Sequence, residues 1–366
     1  MKGRIVYLSM AANREGNAYY AHVNEIIKGL RRRDWQVELF SPNYQQGDSL
    51  PNSIGRMFKF LETQLNLWIN SSDVDALYIR HHFATFPTVL WAKLKKIPVI
   101  QEINGPYEEI FITWPWTSKF KQLFTWLLRS QIAWADASIT VTSPLKNLLI
   151  KDAGLKPVYI IPNGANTDVF IPQAKSNIEL PKPYVVFFGA FAHWQGIDTM
   201  LDAVEQPDWP ENLNLVFVGD GIERFKIEKS AANNPKVIYL GKKSYQEVAG
   251  IVAGSVVGLS TQNNRNNRST TGLSPLKVYE TLACGVPIVV SDFPGQADLV
   301  RQHKCGLVVP PEDPVALAQA VAFLYNQPSE RQEMGDRGHE IIKQEHSWDK
   351  RAAATEEVLL SLINLS

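Results

Sequence analysis

Cysteine and long hydrophobic runs are both scarce in this sequence, and each scarcity excludes a class of protein. The 366 residues include two cysteines, Cys284 and Cys305, which cannot build a disulfide framework or a four-cysteine zinc site. We expect both to be reduced thiols in the core. No apolar run approaches the ~18–20 residues of a membrane span. The opening MKGRIVYLSMAA has an apolar stretch of strand length rather than a signal peptide, so a cytoplasmic protein is expected.

An overall excess of charge is absent as well. The chain has 37 basic and 37 acidic residues, so net charge gives no argument for nucleic acid as a partner. The charges do separate along the chain, because residues 1–165 hold 19 basic and 13 acidic side chains and residues 166–366 hold 18 and 24. This asymmetry predicts two units that meet different partners.

Strand and helix signals alternate along the whole chain. Apolar runs of strand length are followed by amphipathic helical stretches, and the alternation restarts at YVVFFGAF after a proline-rich polar segment, residues 171–183. Such alternation is typical of a parallel sheet with helices on both faces. We therefore predict an α/β protein of two doubly wound domains, with ligands bound in a cleft outside the carboxyl ends of the strands.

The most informative stretch is TTGLSPLKVYETLACGVP, residues 270–287. A glycine-containing loop opens a helix after a strand, and its free backbone N–H groups can hold phosphate oxygens because the helix dipole favours an anion. Ser274 suits the N-cap and Pro275 the first helical position. Further along, the Glu280 carboxylate could accept both hydroxyls of a ribose. A well-capped helix with a surface glutamate fits the same pattern, and spacing alone leaves both interpretations open.

The segment GLSPLKVYETLACGVPIVVSD resembles the sugar-nucleotide signature of the GT-B glycosyltransferases of family 4. Four other segments match in the same order: IIPNGANTDVF, FFGAFAHWQGIDTMLDAV, LVFVGDGIERFKIE and VIYLGKKSYQEVAGIVAGS. The resemblance covers essentially the whole chain and implies the GT-B fold, in which two Rossmann-like domains face a central cleft. Residues 1–170 would bind the acceptor and residues 171–345 the nucleotide sugar. A C-terminal helix in residues 346–366 would cross back to the first domain.

The resemblance also implies a reaction. The family moves a sugar from a nucleoside diphosphate sugar to an acceptor, retaining anomeric configuration and needing no metal, so we expect a metal-independent hexosyltransferase without a cofactor, using a UDP-hexose. The acceptor would be a glycan or lipid-linked saccharide in cell-surface polysaccharide biosynthesis. A sugar-nucleotide epimerase on the same fold and a non-catalytic nucleotide-sugar or glycan-binding protein stay open as alternatives.

Carried over residue by residue, the match implies a donor site. Glu280 would bind the ribose, and loop amides would line the sugar and diphosphate. Asn104, in EINGP, stands where the family often has a sugar-contacting histidine, and no general base stands out. The donor-binding set is Gly16, Gly189, Gln195, Gly241, Lys242, Gly272, Leu273, Ser274, Leu276, Lys277 and Glu280.

Three positions depart from the family pattern. Gly272 stands where a first glutamate is common, Ala190 replaces the usual arginine after FFG, and Gln195 replaces the usual lysine of the same loop. The two missing cations normally neutralise the diphosphate, and a buried dianion without partners is costly. The alternative for the arginine-containing loop is that it is merely solvated. The candidate replacements are Lys277, Arg265 and Arg268.

Two weaker signals suggest other chemistry. GDGIER, residues 219–224, follows a strand and opens a helix, but Arg224 stands at the third glycine of the dinucleotide-binding fingerprint. The adjacent His81 and His82 lack further ligands nearby and make a poor metal set, and we expect one to face the cleft and the other to be packed. Neither a nicotinamide enzyme nor a metal site is predicted.

Residues 113–134 contain four tryptophans together with Lys119, Lys121 and Arg129. Aromatic and basic side chains at helical spacing suit a membrane interface, and the positive charge of the first half would favour anionic headgroups. A helix packed on the sheet of the first domain, with tryptophan in the core, is the alternative. The membrane hypothesis places Trp114 and Trp116 at the lipid surface and the protein at the inner face of the plasma membrane.

Overall fold

The computed structural model describes residues 2–11, 18–44, 51–71, 73–264 and 268–363. These residues form two compact units. The first holds the chain up to Pro162 and again from Arg351 onward, and the second holds Asn163–Lys350. Residues 163–170, expected in the first domain, thus lie in the second, because Ala165 and Phe170 belong to its buried core.

The first unit is built on a six-stranded parallel sheet with the strand order β2-β1-β3-β4-β5-β6. Its strands are β1 (Gly3–Leu8), β2 (Trp35–Phe40), β3 (Ala76–Arg80), β4 (Val99–Ile103), β5 (Ala137–Thr140) and β6 (Val158–Ile160). Its helices are α1 (Ala18–Arg32), α2 (Ser53–Asn70), α3 (Phe86–Lys95), α4 (Ile110–Thr113), α5 (Lys121–Trp134) and α6 (Ser143–Ala153).

The second unit repeats this plan with the strand order β12-β11-β10-β7-β8-β9, all parallel. Its strands are β7 (Tyr184–Ala190), β8 (Asn214–Asp220), β9 (Val237–Tyr239), β10 (Val257–Ser260), β11 (Ile288–Ser291) and β12 (Gly306–Val309). Its helices are α7 (Ile197–Val204), α8 (Arg224–Asn233), α9 (Tyr245–Ala253), α10 (Arg268–Thr271), α11 (Leu276–Ala283), α12 (Gln296–His303), α13 (Pro314–Asn326) and α14 (Pro328–Glu345).

The second sheet is buried on both faces. Alternate residues of β7 pack in two separate cores, Val186 and Phe188 in one and Val185 and Phe187 in the other. A strand covered on both sides is a continuous apolar run, which is why YVVFF reads as a strand in the sequence. The predicted α/β architecture of two doubly wound units is confirmed.

A last helix, α15 (Trp348–Ile363), leaves the second unit and belongs to the first from Arg351 onward. Its Glu356 is the anchor: the carboxylate accepts from Lys2 Nζ and from Trp35 Nε1, each at 2.7 Å. The salt bridge to Lys2 and the hydrogen bond from Trp35 hold α15 next to β1 and β2, so the first unit is assembled from distant parts of the sequence.

The remaining structural expectations concern the cysteines and tryptophans. Cys284 and Cys305 are buried free thiols, as predicted. Trp114 is wrongly placed at a lipid surface by the membrane hypothesis: it is buried against Phe60 and Phe83. Trp116 packs on Phe83 and Phe124. Trp114 therefore belongs to the aromatic core of the first unit, and the half-buried Trp116 packs against that core. No described helix is both long and apolar enough to cross a bilayer.

Candidate active site

The strand order of the second sheet locates a binding edge. The chain runs outward from β7 to β9, then returns and runs the other way from β10 to β12. Ligands of such sheets bind outside the carboxyl ends of the strands where the order reverses, here β7 and β10. Two loops meet there: Asn263 N–H donates to Trp194 O at 3.0 Å, and Thr261 Oγ1 donates to Gln195 O at 3.4 Å.

Glycine is required at the end of β7. Gly189 has φ +121° and Gly219, beside it on β8, has φ +141°. A Cβ at Gly219 would lie 1.9 Å from Gly189 O, so the two backbones approach too closely for a side chain. A Cβ at Gly189 would lie 3.7 Å from Lys277 Nζ. Glycine at position 189 therefore places no side chain between the end of β7 and that ammonium.

Lys277, in the first turn of α11, brings a cation to this edge. Its side chain is buried, with the residue 7% exposed. Nζ donates to Gln195 Oε1 at 2.9 Å and lies 3.6 Å from the centre of the Phe187 ring. Burial lowers the pKa of Lys277 to about 7, while the charge of Glu280 opposes that shift. An added anion would stabilise this ammonium, because the charge of Glu280 offsets only part of the cost of burying it.

The other candidate cations are not placed beside Gly189. Arg265 lies outside the described residues, and Arg268 begins α10 with a side chain that is not described. Lys277 is thus the replacement cation that the structure brings together with two motif positions, Gly189 and Gln195.

Glu280 lies three residues after Lys277 on α11 and is buried, with 6% exposure. The alternative of a surface glutamate is therefore wrong. Tyr245 Oη, on the first residue of α9, donates to Glu280 Oε1 at 3.2 Å. Burial raises the pKa of Glu280 to about 7, against the hydrogen bond from Tyr245 and the charge of Lys277. Burial therefore brings the pKa of both Lys277 and Glu280 close to neutral pH.

The helix that carries this pair begins one residue later than predicted. Pro275 is the N-cap of α11 and makes no side-chain capping bond. Ser274 instead accepts from Asn163 N–H at Oγ, 3.0 Å away, and its carbonyl accepts from Asn163 Nδ2 at 2.5 Å. The hydroxyl is tied to the chain that enters the second unit, so Ser274 fixes the loop rather than capping the helix.

The other described residues of the predicted donor set lie at the same end of the second sheet. Gly272 takes φ +75°, and Leu273 N–H bonds Pro294 O at 2.8 Å. Leu276 is buried as the first residue of α11. Gly241, with φ +68°, accepts from Gly219 N–H at 2.9 Å, which sets it beside the end of β8. The side chain of Lys242 is exposed and 3.5 Å from Asp220, and Gly16 lies outside the described residues.

A second polar cluster marks the strand ends of the first unit. The buried carboxylate of Glu102, on β4, accepts from Arg80 at 2.7 Å and from Asn104 Nδ2 at 2.6 Å at Oε1, and from Tyr7 Oη at 2.7 Å at Oε2. His22 Nε2 lies 2.9 Å from the same Oε1. Burial alone would raise the pKa of Glu102, but His22 and Arg80 hold it well below its usual range. Asn104 is thereby held just after the carboxyl end of β4.

Both adjacent histidines are half-buried and make hydrogen bonds within the first unit, and the expectation that one of them faces a cleft stays a prediction. His81 Nε2 lies 3.1 Å from Leu128 O, and His82 Nδ1 accepts from Ala84 N–H at 3.1 Å. Burial lowers the pKa of His81 to about 4 and of His82 to about 3. Within the described ranges, no three His, Cys, Asp or Glu side chains are grouped as a metal site.

Two residues of the site, Tyr245 and Phe187, were not predicted from the sequence. Tyr245 follows Ser244, which forms a capping box with Glu247 at the start of α9, and that motif could have marked the helix start though not its contact with Glu280. Phe187 reads as an ordinary core residue of β7, and its position under Lys277 is visible only in three dimensions.

Two family models together match most of the chain. Glycosyltransferase Family 4 matches residues 21–169, and Glycosyl transferases group 1 matches residues 170–341. An uncharacterized glycosyltransferase of Methanocaldococcus jannaschii is 27% identical over 346 residues, 90% of each chain. A GDP-mannose-dependent alpha-mannosyltransferase of Mycobacterium tuberculosis is 26% identical over 200 residues, 53% of this chain and 49% of that one.

Solved structures share the architecture. Sucrose-phosphate synthase from Thermosynechococcus elongatus superposes with a TM-score of 0.80 at 19% identity, over 100% of both chains. Anabaena HepE in complex with UDP and glucose has a TM-score of 0.73 at 16% identity, over 98% of this chain and 100% of that one. With its two family-model matches and its two parallel six-stranded sheets, this chain belongs to the group 1 glycosyltransferases of family 4 and has the GT-B fold.

Proposed function

We propose that this glycosyltransferase is a metal-independent, retaining hexosyltransferase of cell-surface polysaccharide synthesis. It takes a hexose from a nucleoside diphosphate sugar and transfers it to a glycan or lipid-linked saccharide at the cytoplasmic face of the membrane. UDP is the first nucleotide to test because the similar fold of HepE was solved with it. GDP is the second, because one relative depends on GDP-mannose.

The observation that carries the proposal is the buried ammonium of Lys277 beside Gly189 and Gln195. Gly189 directly precedes Ala190, the position of the family's usual arginine, and Gln195 stands at the position of the usual lysine, so this loop carries neither of the usual diphosphate cations. A diphosphate seated against the Gly189 backbone would restore the proton on Lys277 and pair with it. One protein cation, with loop amides, then stabilises the charge of the leaving diphosphate without a metal.

Glu280 would hold the ribose of the same donor. Its Oε1 accepts from Tyr245, which leaves Oε2 to accept from the ribose hydroxyls. In the first unit Asn104, fixed by Glu102, would contact the transferred sugar. The acceptor hydroxyl would attack from the face that the diphosphate leaves. No general base is assigned among the described residues.

A screen of nucleotides followed by product analysis tests the proposal. UDP, GDP, ADP and their hexose derivatives are added, and a ligand at 100 times its dissociation constant should stabilise the fold by about 2.7 kcal/mol. The preferred donor is then incubated alone and with glycan and lipid-linked saccharide acceptors, and products are read by mass spectrometry. A glycosylated acceptor is expected. An epimerised donor without acceptor would indicate an epimerase, and binding without any product would indicate a binding protein.

Donor affinity is expected to be highest near pH 7 and to fall on both sides. Above pH 7 the ammonium of Lys277 loses its proton, and below pH 7 the carboxylate of Glu280 gains one, because both pKa values lie at about 7. On each side of the optimum, the affinity should fall by up to tenfold per pH unit, which is the limit when binding requires one protonation change. Titration calorimetry of the preferred nucleoside diphosphate from pH 5.5 to 8.5 measures this, and a flat profile would contradict it.

A further inference from the structure

An arginine without an anionic partner lies in the first turn of α2. Arg56 is half-buried, and its guanidinium carbon is 3.9 Å from the centre of the Trp114 ring. Among the described residues it has no carboxylate partner, and its buried Nε has no hydrogen-bond acceptor. Burying a charge without a partner is costly, so this guanidinium would gain from an added anion. Other arginines of the first unit do pair with a carboxylate, namely Arg4, Arg33, Arg80 and Arg129.

The contact with Trp114 determines how Arg56 can bind an anion. The tryptophan ring is itself fixed, because it is buried against Phe60 and Phe83. An arginine that rests on an aromatic ring is held in place, and it can still donate hydrogen bonds from the edge of its planar guanidinium. Two parallel N–H groups at such an edge match the two oxygens of a carboxylate or a phosphate.

His82 supplies a second hydrogen-bond donor beside the same tryptophan. The ring centres of His82 and Trp114 are 6.1 Å apart, and His82 Nδ1 accepts from Ala84 N–H at 3.1 Å. Burial, together with the charges of His81 and Arg56, lowers the pKa of His82 to about 3. At neutral pH the ring is therefore uncharged and carries its proton on Nε2. That N–H group has no acceptor among the described residues.

These side chains come from three successive connections at one edge of the first sheet. Arg56 follows β2, His82 lies two residues after the end of β3, and Trp114 follows β4. Because the strands are parallel, all three connections begin at the carboxyl ends of the strands, where ligands of such sheets bind. Asn104, just after β4, lies at this edge as well. The unpaired donors are thus at the edge where a substrate of the first unit is expected.

From this arrangement we infer that the acceptor carries an anionic group, a carboxylate or a phosphate, which Arg56 binds through its guanidinium edge while His82 Nε2 donates a further hydrogen bond. The inference rests on the proposed function, with the acceptor bound by the first unit. Two kinds of saccharide acceptor present such a group: one that contains a uronic acid, and one that is joined to a prenyl chain through a diphosphate. A neutral glycan would leave the guanidinium unpaired and would bind more weakly.

Titration calorimetry of the full chain, without any nucleotide, tests the inference. An oligosaccharide ending in glucuronic acid is compared with its carboxyl-reduced form, and a saccharide on a short prenyl diphosphate is compared with the same saccharide on the prenyl alcohol. The pair whose members differ identifies the source of the anion. The charged member should bind about 10- to 100-fold more tightly, the usual effect of a charged hydrogen bond.

Variants of the two donors should reduce this preference. Arg56→Gln should abolish it, and Arg56→Lys should keep only a part of it, because an ammonium cannot form the paired contact. His82→Asn keeps an acceptor for Ala84 N–H but lacks the Nε2 donor, and it should weaken the charged probe by about two- to tenfold.

Lys59→Gln is the matched control. It removes one positive charge from the same helix, but Lys59 already pairs with Glu62, so the affinity for the charged probe should change by less than about twofold. Thermal unfolding of each variant verifies that the fold is intact. In transfer assays with the preferred donor, Arg56→Gln should raise the KM of the charged acceptor and leave the KM of the donor unchanged.

Two results would overturn the inference. One is a parent protein that binds neither charged probe better than its neutral counterpart. The other is an equal loss of affinity in Lys59→Gln and Arg56→Gln, because overall charge rather than a contact with Arg56 would then explain the preference. A lack of transfer to every acceptor would instead contradict the proposed function, since the calorimetric comparison uses no donor.

Discussion

Replacing Lys277 by methionine is expected to reduce sugar transfer by about a hundredfold or more and to make the ligand-free protein more stable by about 1–4 kcal/mol. The two effects have the same cause. An ammonium buried over the Phe187 ring, with one amide oxygen as its hydrogen-bond partner, is costly until an anion arrives. Methionine fills a similar volume and packs well on an aromatic ring, but it offers no charge to a diphosphate.

The stability gain should depend on pH in a defined direction. The pKa of Lys277 is about 7 in the folded protein, below its ordinary value of 10.5, so the unfolded state binds one more proton than the folded state between these values. The parent protein therefore gains stability as the pH rises through that window. The advantage of Lys277→Met should be largest at pH 7 and below and should shrink towards pH 10.

Thermal unfolding at several pH values and turnover of the preferred donor are the two measurements. Lys229→Met is the matched control, because Lys229 is an exposed lysine on α8 in the same unit, and neither quantity should change. Turnover that survives in Lys277→Met would assign diphosphate neutralisation to the arginines at 265 and 268. A loss of both stability and turnover would show that the ammonium is a structural group.

The fold could be predicted from the sequence because its signals are local. Several of the parallel strands are apolar runs, such as YVVFF in β7, and several helices begin or end at a recognisable residue. Gly154, for example, ends α6 with φ +63°, and glycine adopts that conformation without strain. The domain boundary was less predictable. Ala165 and Phe170 follow the last strand of the first sheet and have no sequence feature that assigns them to the second core.

The site could be predicted in part. Motif positions named Glu280, Gly189 and Lys277, but spacing could not show that Lys277 folds back against Gln195 across 82 residues of chain. Nor could it show that Glu280 is buried. Trp114 illustrates the opposite limit: its aromatic and basic neighbours are typical of an interface, yet the ring packs against Phe60 and Phe83. The composition of a segment can suggest an interaction surface, but only the tertiary packing decides which of its side chains are exposed there and which are buried.

Glu280→Gln is expected to weaken the binding of the preferred nucleoside diphosphate by about 10- to 100-fold, because a charged hydrogen-bond acceptor contributes about 1.5–3 kcal/mol to the binding free energy. The fold should not suffer. Glutamine keeps an oxygen that can accept the hydrogen bond from Tyr245. Its neutral amide also avoids the cost of burying a charged carboxylate, the cost that raises the pKa of Glu280 to about 7. Because the unfolded carboxyl ionises at lower pH, the parent protein loses stability between about pH 4.5 and 7 as the pH rises, and the variant should not.

Two further readouts separate a ribose contact from a structural role for Glu280. The acid limb of the affinity profile should disappear in Glu280→Gln, since no carboxyl remains to be protonated, while the alkaline limb from Lys277 stays. Tyr245→Phe should keep the carboxylate but remove the hydrogen bond that lowers its pKa, which moves the acid limb to higher pH. Unchanged affinity in Glu280→Gln, measured by calorimetry at pH 7, would remove Glu280 from the donor site. The tyrosine and glutamate would then be a buried pair that only joins α9 to α11.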